Sequence, residues 1–245
     1  MRATLALLAI GLGALALAGF GGSAAGLDEV RVCGTSGFDR GDAACRADQR
    51  SGIRSSTIYC SARTSDHAGD TFTGRLTYRG IPFPVQKGRI SRDGNVNTYL
   101  TIGGGPFPGG PWRCDVSAGS EKASVSFTTN GPSGPVTSVS ACLTKNTVLA
   151  GPVRACRSDA SATLPATDAI TCSAVYSLAK GKQARADVLF DGKPTGLTLT
   201  RRVPLAVSVF GVQVSKPGGL PAGRYTCVFS LDGKKAATKS FRVAG

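Results

Sequence analysis

The chain is poor in the residues that most catalytic sites require. Its 245 residues include one histidine, one methionine and one tryptophan, and only two glutamates, Glu29 and Glu121. A glycosidase that uses a glutamate pair would need both of them from distant segments. His67, between Asp66 and Asp70, could in principle serve a serine-hydrolase triad, but its small polar neighbours are typical of a polar loop at a domain edge. We therefore expect no catalytic residues.

Several functional motifs are also absent. The sequence contains no Gly-x-Ser-x-Gly, no phosphate-binding loop, no dinucleotide-binding fingerprint and no Cys-x2-Cys pair. These absences argue against an enzyme, a cofactor and a metal site. The segment Ser91–Asn97 spaces Asp93, Asn95 and Asn97 like the start of a calcium loop, but it lacks the later glutamate, and a hairpin turn explains it better.

The longest hydrophobic run is at the N-terminus. Arg2 precedes the apolar stretch Leu5–Ala18, and Ser23–Ala25 resembles a cleavage site of small residues, so residues 1–25 are predicted to be a signal peptide. Cleavage after Ala18 is an alternative. An uncleaved anchor is another, although five glycines make this segment a poor membrane span. We expect a secreted or periplasmic protein with no stable membrane span after cleavage.

Eight cysteines in an exported chain favour disulfides. Their spacing divides them into two sets, with gaps of 12, 15 and 54 residues in the first and 14, 16 and 55 in the second. The sets are Cys33, Cys45, Cys60 and Cys114, then Cys142, Cys156, Cys172 and Cys227. Four cysteines allow three pairings in each set, and the repetition favours one short and one long bridge. The favoured pairs are Cys33–Cys45, Cys60–Cys114, Cys142–Cys156 and Cys172–Cys227.

Two segments at the last cysteine of each set indicate that the chain is a duplication. "LPAGRYTC", Leu220–Cys227, aligns without gaps with "FPGGPWRC", Phe107–Cys114. In both, a turn rich in Pro and Gly precedes an aromatic residue, Tyr225 or Trp112, two positions before the cysteine. Two residues is the period of a strand, so the aromatic ring and the cysteine share one face.

Other segments repeat in the same order, including alternating runs that predict short strands in each half. Counted from the upstream cysteine, Tyr78 and Phe190 stand at the same position, and both cysteines are followed by Ser-Ala. We predict domain 1 over residues 26–131, a linker at 132–135 and domain 2 over 136–245.

Each repeat resembles an immunoglobulin-like β-sandwich, and the resemblance covers essentially the whole chain after the signal peptide. The Gly-x-Tyr-x-Cys segment at Tyr225 is similar to the tyrosine corner, in which the hydroxyl bonds back to the backbone at a turn. Trp112 replaces this tyrosine in the first repeat, and its indole N–H can donate but not accept. Neither repeat has the buried tryptophan expected about a dozen residues after the first cysteine of the long bridge. The resemblance implies an all-β fold, two tandem immunoglobulin-like antiparallel β-sandwich domains of a bacterial exported protein.

The chain is strongly basic, with a formal net charge of +14. Residues 146–245 carry 14 Lys and Arg against 5 Asp and Glu, and the adjacent Arg201 and Arg202 are candidate binding residues in this half. Such a charge suits an anionic polysaccharide or cell-envelope component, while a generic charge bias that favours solubility is the alternative. Few aromatic residues and no interleaving of basic with aromatic residues argue against nucleic acid.

A short adhesive motif lies in the first half. Arg40, Gly41 and Asp42 form an RGD sequence inside the predicted Cys33–Cys45 loop. A constrained RGD loop is how some adhesive proteins engage integrins, but a motif of three residues also arises by chance, and a solvated turn is the alternative.

These observations favour a non-catalytic binding or adhesion protein at the cell surface, whose partner is an unidentified protein or an anionic polymer. One alternative is a structural subunit of a surface layer or appendage that associates through sheet edges. Another is a secreted hydrolase inhibitor that presents a rigid loop such as Phe83–Arg89.

Overall fold

The computed structural model describes residues 26–103, 105–150, 153–159 and 162–245. The predicted signal peptide lies outside these residues. Nearly all regular structure is β, and the two helices described are single 3-10 turns, Thr35–Gly37 and Thr144–Asn146. Within the described ranges, no helix has the length and apolar character needed to cross a membrane.

Domain 1 contains the first ten strands. They are β1 (Gly26–Gly34), β2 (Phe38–Asp39), β3 (Ala44–Cys45), β4 (Thr57–Ser65), β5 (Thr71–Tyr78), β6 (Ile81–Pro82), β7 (Gln86–Arg89), β8 (Gly94–Thr101), β9 (Gly110–Ala118) and β10 (Glu121–Thr129). One sheet has the order β1-β4-β8, and the facing sheet has the order β10-β9-β5, with β6 and β7 both paired to β5. Apolar side chains alternate inward along β5, β9 and β10 and fill the space between the sheets.

Domain 2 repeats this arrangement. Its strands are β11 (Val136–Leu143), β12 (Thr147–Ala150), β13 (Val153–Cys156), β14 (Thr163–Leu164), β15 (Ala169–Ser177), β16 (Gln183–Phe190), β17 (Lys193–Arg202), β18 (Val207–Ser215), β19 (Gly223–Leu231) and β20 (Lys234–Val243). The sheets are β11-β15-β18 and β14-β20-β19-β16-β17, and β12 and β13 form a separate hairpin. All pairs are antiparallel except β14 with β20.

The strand order and the bridges together make each domain an immunoglobulin-like sandwich. The structure contains the four disulfides that repetition favours. The long bridges join β4 to β9 and β15 to β19, and so connect the two sheets of each domain. The strands β7 and β17 pair with β5 and β16, respectively. In a constant-type immunoglobulin domain, the strand at this place in the sequence would instead extend the other sheet.

The segment Ser91–Asn97 does not form the predicted hairpin turn. It connects β7, which pairs with β5, to β8, which pairs with β4, so the chain passes from one sheet to the other. The expectation was wrong because the alternating pattern identifies strands but not their partners.

The two aromatic corners reach the same backbone position by different routes. The Tyr225 hydroxyl donates directly to the carbonyl of Pro221 at 3.1 Å. In domain 1 the indole N–H of Trp112 donates to the Thr129 hydroxyl at 2.9 Å, and this hydroxyl donates to the carbonyl of Pro108 at 2.6 Å. Thr129 therefore supplies the acceptor and relay that a tryptophan corner needs.

The serine after the first long-bridge cysteine has the same role in both domains. Ser61 is buried and accepts a hydrogen bond from the backbone N–H of Cys45 at 3.0 Å. Ser173 does the same for Cys156 at 3.1 Å. Each serine thus fixes the short-bridge segment against its three-stranded sheet.

The two domains share part of their buried core. Val175, Ala206 and Val207 of domain 2 belong to the same buried hydrophobic cluster as the core of domain 1. Gly103 also lies against the β12–β13 hairpin, since a Cβ built on it would collide with the Cβ of Ala155. The domains are therefore in direct apolar contact.

Candidate functional site

The outer face of the larger sheet in domain 2 is basic. On β19, the side chains of Tyr225, Cys227 and Phe229 are buried inside, so alternation places Arg224 outside. The pairing register brings exposed cations of the neighbouring strands onto the same face. We call this set basic face 2: Arg185, Arg202, Arg224, Lys235 and Arg242.

The corresponding sheet of domain 1 presents a second set. Trp112 and Cys114 point inward from β9, so Arg113 points outward, and the register places the cations of β5, β7 and β10 beside it. We call this set basic face 1: Arg75, Lys87, Arg89, Arg113 and Lys122.

One carboxylate lies among the cations of each face and is already paired. Asp115 forms an ion pair with Arg113 at 2.6 Å, and Asp187 forms one with Arg185 at 2.7 Å. The hydrogen bond from Arg185 lowers the pKa of Asp187, so this carboxylate is ionised at neutral pH. Within the described residues, four cations of each face have no ion pair.

Two of these cations stand directly opposite each other. Arg224 and Arg242 are cross-strand partners on β19 and β20, and both side chains are exposed. Like charges in this position destabilise a sheet. Two neighbouring guanidinium groups can, however, bind the oxygens of sulfate, phosphate or carboxylate groups through paired hydrogen bonds.

The other sheets differ in charge. The strands β11, β15 and β18 carry no charged residue. In domain 1, β1, β4 and β8 carry two arginines and two acids. The positive charge on the sheets is thus concentrated on one side of each sandwich.

The predicted pair Arg201 and Arg202 lies at the end of β17. The two side chains point to opposite faces of the strand, with Arg202 opposite Gln183 and Arg201 opposite the buried Ala184. Arg202 therefore belongs to basic face 2, and Arg201 faces the interior side of the sheet. Both line a cavity between the domains.

The RGD sequence occupies the turn between β2 and β3. The carboxylate of Asp39 accepts backbone hydrogen bonds from Gly41 at 2.9 Å and from Asp42 at 3.4 Å, and these bonds lower its pKa. The ring of Phe38 stacks on Tyr59 with centroids 3.7 Å apart, which fixes the base of the turn. Arg40, Gly41 and Asp42 are all exposed.

His67 lies in the loop between β4 and β5, as its polar neighbours predict, but its side chain is buried. Its side chain is 4% exposed, and Nδ1 lies 2.9 Å from the carboxylate of Asp70. That hydrogen bond raises the pKa of His67, and the charge of Glu121, 3.7 Å from Nε2, acts in the same direction. Nε2 has no hydrogen-bond partner among the described residues, so the structure does not place a serine nucleophile on this histidine.

The segment Phe83–Arg89 is only partly a loop. Phe83 is buried in the core, and Gln86–Arg89 forms β7. The amide of Gln86 donates to the carbonyl of Tyr99 at 2.5 Å and ties this edge to β8. The loop proposed for an inhibitor is therefore built largely into the sandwich.

Most residues of the two basic faces were not predicted as binding residues from the sequence. A signal was available, because Arg113 and Arg224 both lie an odd number of positions from the long-bridge cysteine and so alternate with the buried side chains. Their neighbours on other strands could not be identified without the pairing register.

Comparisons with known proteins identify no family. No family profile and no curated protein matches the chain. Among solved structures, the FN1–FN3 domains of chicken CNTN1 are similar, with 10% identity and a TM-score of 0.27, over 80% of this chain and 65% of that one. A two-domain fibronectin type III segment of chicken tenascin matches with 9% identity and a TM-score of 0.26, over 89% of this chain and 99% of that one. Similarity at this level contributes nothing to the assignment of function.

Proposed function

We propose that this chain is an exported, non-catalytic binding protein and that basic faces 1 and 2 bind an anionic polysaccharide at a cell surface. The observation that carries the proposal is the concentration of unpaired cations on the same sheet of both domains. The acids on these faces do not neutralise the cations, because the one carboxylate on each face is already paired with Arg113 or Arg185.

Three further features support this proposal. Four disulfides suit an extracellular or periplasmic compartment. Seven of the ten cations on the faces are arginines, which bind sulfate and carboxylate groups in a bidentate way. The two faces recur in tandem, so one long polymer could contact both and bind more tightly than to either alone.

The proposal is tested by binding to dextran sulfate, with uncharged dextran of the same length as the matched ligand. We expect the chain to bind dextran sulfate and not dextran, and added salt to weaken the binding because it screens exposed charges. Replacing Arg224 and Arg242 by Gln should weaken binding severalfold.

The control variant replaces Lys180 and Lys216 by Gln, which removes the same charge from exposed positions outside the faces. This variant should bind almost as well as the unchanged chain. Equal losses in the two variants would show that only net charge matters, and binding to dextran would contradict an anionic ligand.

One observation favours a second function, that of a structural subunit. The strand β17 is exposed along its length and pairs with β16 on one side only, so its other edge could pair with another copy. Lys193, Pro194 and Arg202 lie at its ends and oppose such pairing. Sedimentation over a range of concentrations distinguishes the two, since a subunit would polymerise and the proposed binding protein would remain monomeric.

A further inference from the structure

The contact between the domains leaves a cavity of about 420 Å³ that is partly open to solvent. Domain 1 contributes Leu76, Phe83 and Ile102, and domain 2 contributes Val207, Phe210 and Tyr176. The size falls in the range of about 300–1,000 Å³ that is typical of sites for small molecules. The cavity is therefore large enough for a ligand.

The cavity wall is mainly apolar, and three of its hydroxyl groups already have partners. The Thr98 hydroxyl donates to Gln86 at 2.7 Å, and the Tyr176 hydroxyl donates to the carbonyl of Ser230 at 3.2 Å. The hydroxyl of Ser208 donates to the carbonyl of Leu205. An apolar body fits such a wall, because these groups do not need a further partner.

The charged residues in the described part of the cavity lining are all positive. Among the described residues that line the cavity, the charged ones are Arg201 and Arg202. Neither guanidinium has an ion pair or a hydrogen bond to another described residue, and both residues are exposed. Arg201 faces the interior side of β17, where the buried Ala184 opposite it also lines the cavity. An unpaired guanidinium thus stands where an apolar cavity meets solvent.

We propose that this cavity binds a single-chain amphiphile with an anionic head, such as a fatty carboxylate. The acyl chain occupies the apolar space between the domains, and the carboxylate accepts hydrogen bonds from the guanidinium of Arg201. Because both domains form the wall, the ligand holds them together. This site shares Arg202 with basic face 2, but the acyl chain lies between the domains and does not use the other cations of that face.

The proposal is tested by calorimetric titration of the purified chain with decanoate, below the concentration at which it forms micelles. Decanol and decyltrimethylammonium are the matched ligands, with the same chain and a neutral or cationic head. We expect decanoate to bind with a stoichiometry of one and at least about tenfold more tightly than either of the others.

Two variants locate the site. Arg201→Gln should weaken decanoate binding about tenfold or more, whereas Lys193→Gln, at the far end of the same strand, should not change it. Leu205→Trp should abolish binding by filling the cavity, and its unchanged thermal unfolding would show that it folds. Should Leu205→Trp fail to fold, Leu100→Phe, also on the cavity wall, serves the same purpose.

Equal binding of decanol, or full decanoate binding by Arg201→Gln, would overturn the proposal. The variant with Gln at positions 224 and 242 separates the two proposals. It should lose affinity for dextran sulfate and retain its affinity for decanoate. Loss of decanoate binding in that variant would place the fatty acid on basic face 2 and would contradict the cavity.

Discussion

Trp112 and Tyr225 show how one substitution in a duplicated chain depends on another. The residue opposite Gly110 at the end of β10 is Thr129, and its equivalent opposite Gly223 at the end of β20 is Val243. The indole N–H of Trp112 bonds to the threonine hydroxyl, which in turn bonds to the backbone carbonyl. The hydroxyl of Tyr225 bonds to its carbonyl directly and needs no such partner. The sequence predicted a corner at each position but not this compensation, since the threonine is distant along the chain.

We predict that Thr129→Val destabilises domain 1 by about 1–3 kcal/mol, because it leaves the buried indole N–H and the carbonyl of Pro108 without partners. Thr128→Val, on the exposed side of the same strand, should have little effect. The double variant Trp112→Tyr with Thr129→Val recreates the pair of domain 2 and should recover part of the loss. Urea unfolding provides the measurement, and equal losses at positions 128 and 129 would contradict the relay.

His67 is expected to make the stability of domain 1 depend on pH. Its pKa in the folded chain is raised above the usual 6.5, first by the hydrogen bond with Asp70. A raised pKa stabilises the fold below pH 6.5, and this stabilisation disappears as the pH rises through the folded value. We therefore expect domain 1 to be less stable at pH 8 than at pH 6.

The measurement has two parts. Because the chain has one histidine, an NMR titration of its imidazole gives the folded pKa directly. Asp70→Asn should lower this pKa, and His67→Gln should remove the corresponding difference in urea unfolding between the two pH values. A pKa at or below 6.5 in the unchanged chain would contradict this account.

At the scale of elements, the long bridges are expected to stabilise the fold more than the short ones. Replacing Cys60 and Cys114 by Ala opens a loop with a separation of 54 residues and should cost about 4 kcal/mol on the chain-entropy model. Replacing Cys33 and Cys45 opens a separation of 12 residues and should cost about 3 kcal/mol.

Urea unfolding of the two double variants, with proteolysis of domain 1 as a second readout, checks this order. The Cys60/Cys114 variant should also be cleaved faster, because its sheets are no longer joined. A larger loss from opening the short bridge would show that the β2–β3 segment, rather than the link between sheets, limits stability.

The elements also show why part of the fold could be predicted and part could not. The bridges, the main strands and the corners follow from spacing and period two, which are local properties of the sequence. The pairing of β7 with β5 is not local. The outer faces depend on register, and irregularities between Asp187 and Leu189 and between Phe229 and Ser230 shift it at points that no sequence signal marks.

At the scale of the whole molecule, the domains are expected to be coupled. Val207 begins β18 in domain 2 but is buried in the cluster of domain 1. Val207→Ala should therefore destabilise domain 1 by about 2 kcal/mol. Val188→Ala, inside the core of domain 2, should leave domain 1 largely unaffected.

Trp112 makes this measurement specific, because it is the single tryptophan and lies in domain 1. Urea unfolding followed by tryptophan fluorescence reports on that domain alone. An unchanged fluorescence midpoint in Val207→Ala would show that the domains unfold independently. The cavity and the shared core were not predicted, because tandem repeats in a sequence do not reveal how the domains pack.

The long bridges also set how far the chain can be stretched when it is pulled from both ends. Each long bridge joins cysteines that are 54 or 55 residues apart. The backbone between them cannot extend, even after the strands have separated. At about 3.4 Å for each extended residue, this withholds roughly 180 Å of length per domain. Pulled from both ends, the described chain would therefore reach only about half the length that it would reach without these bridges.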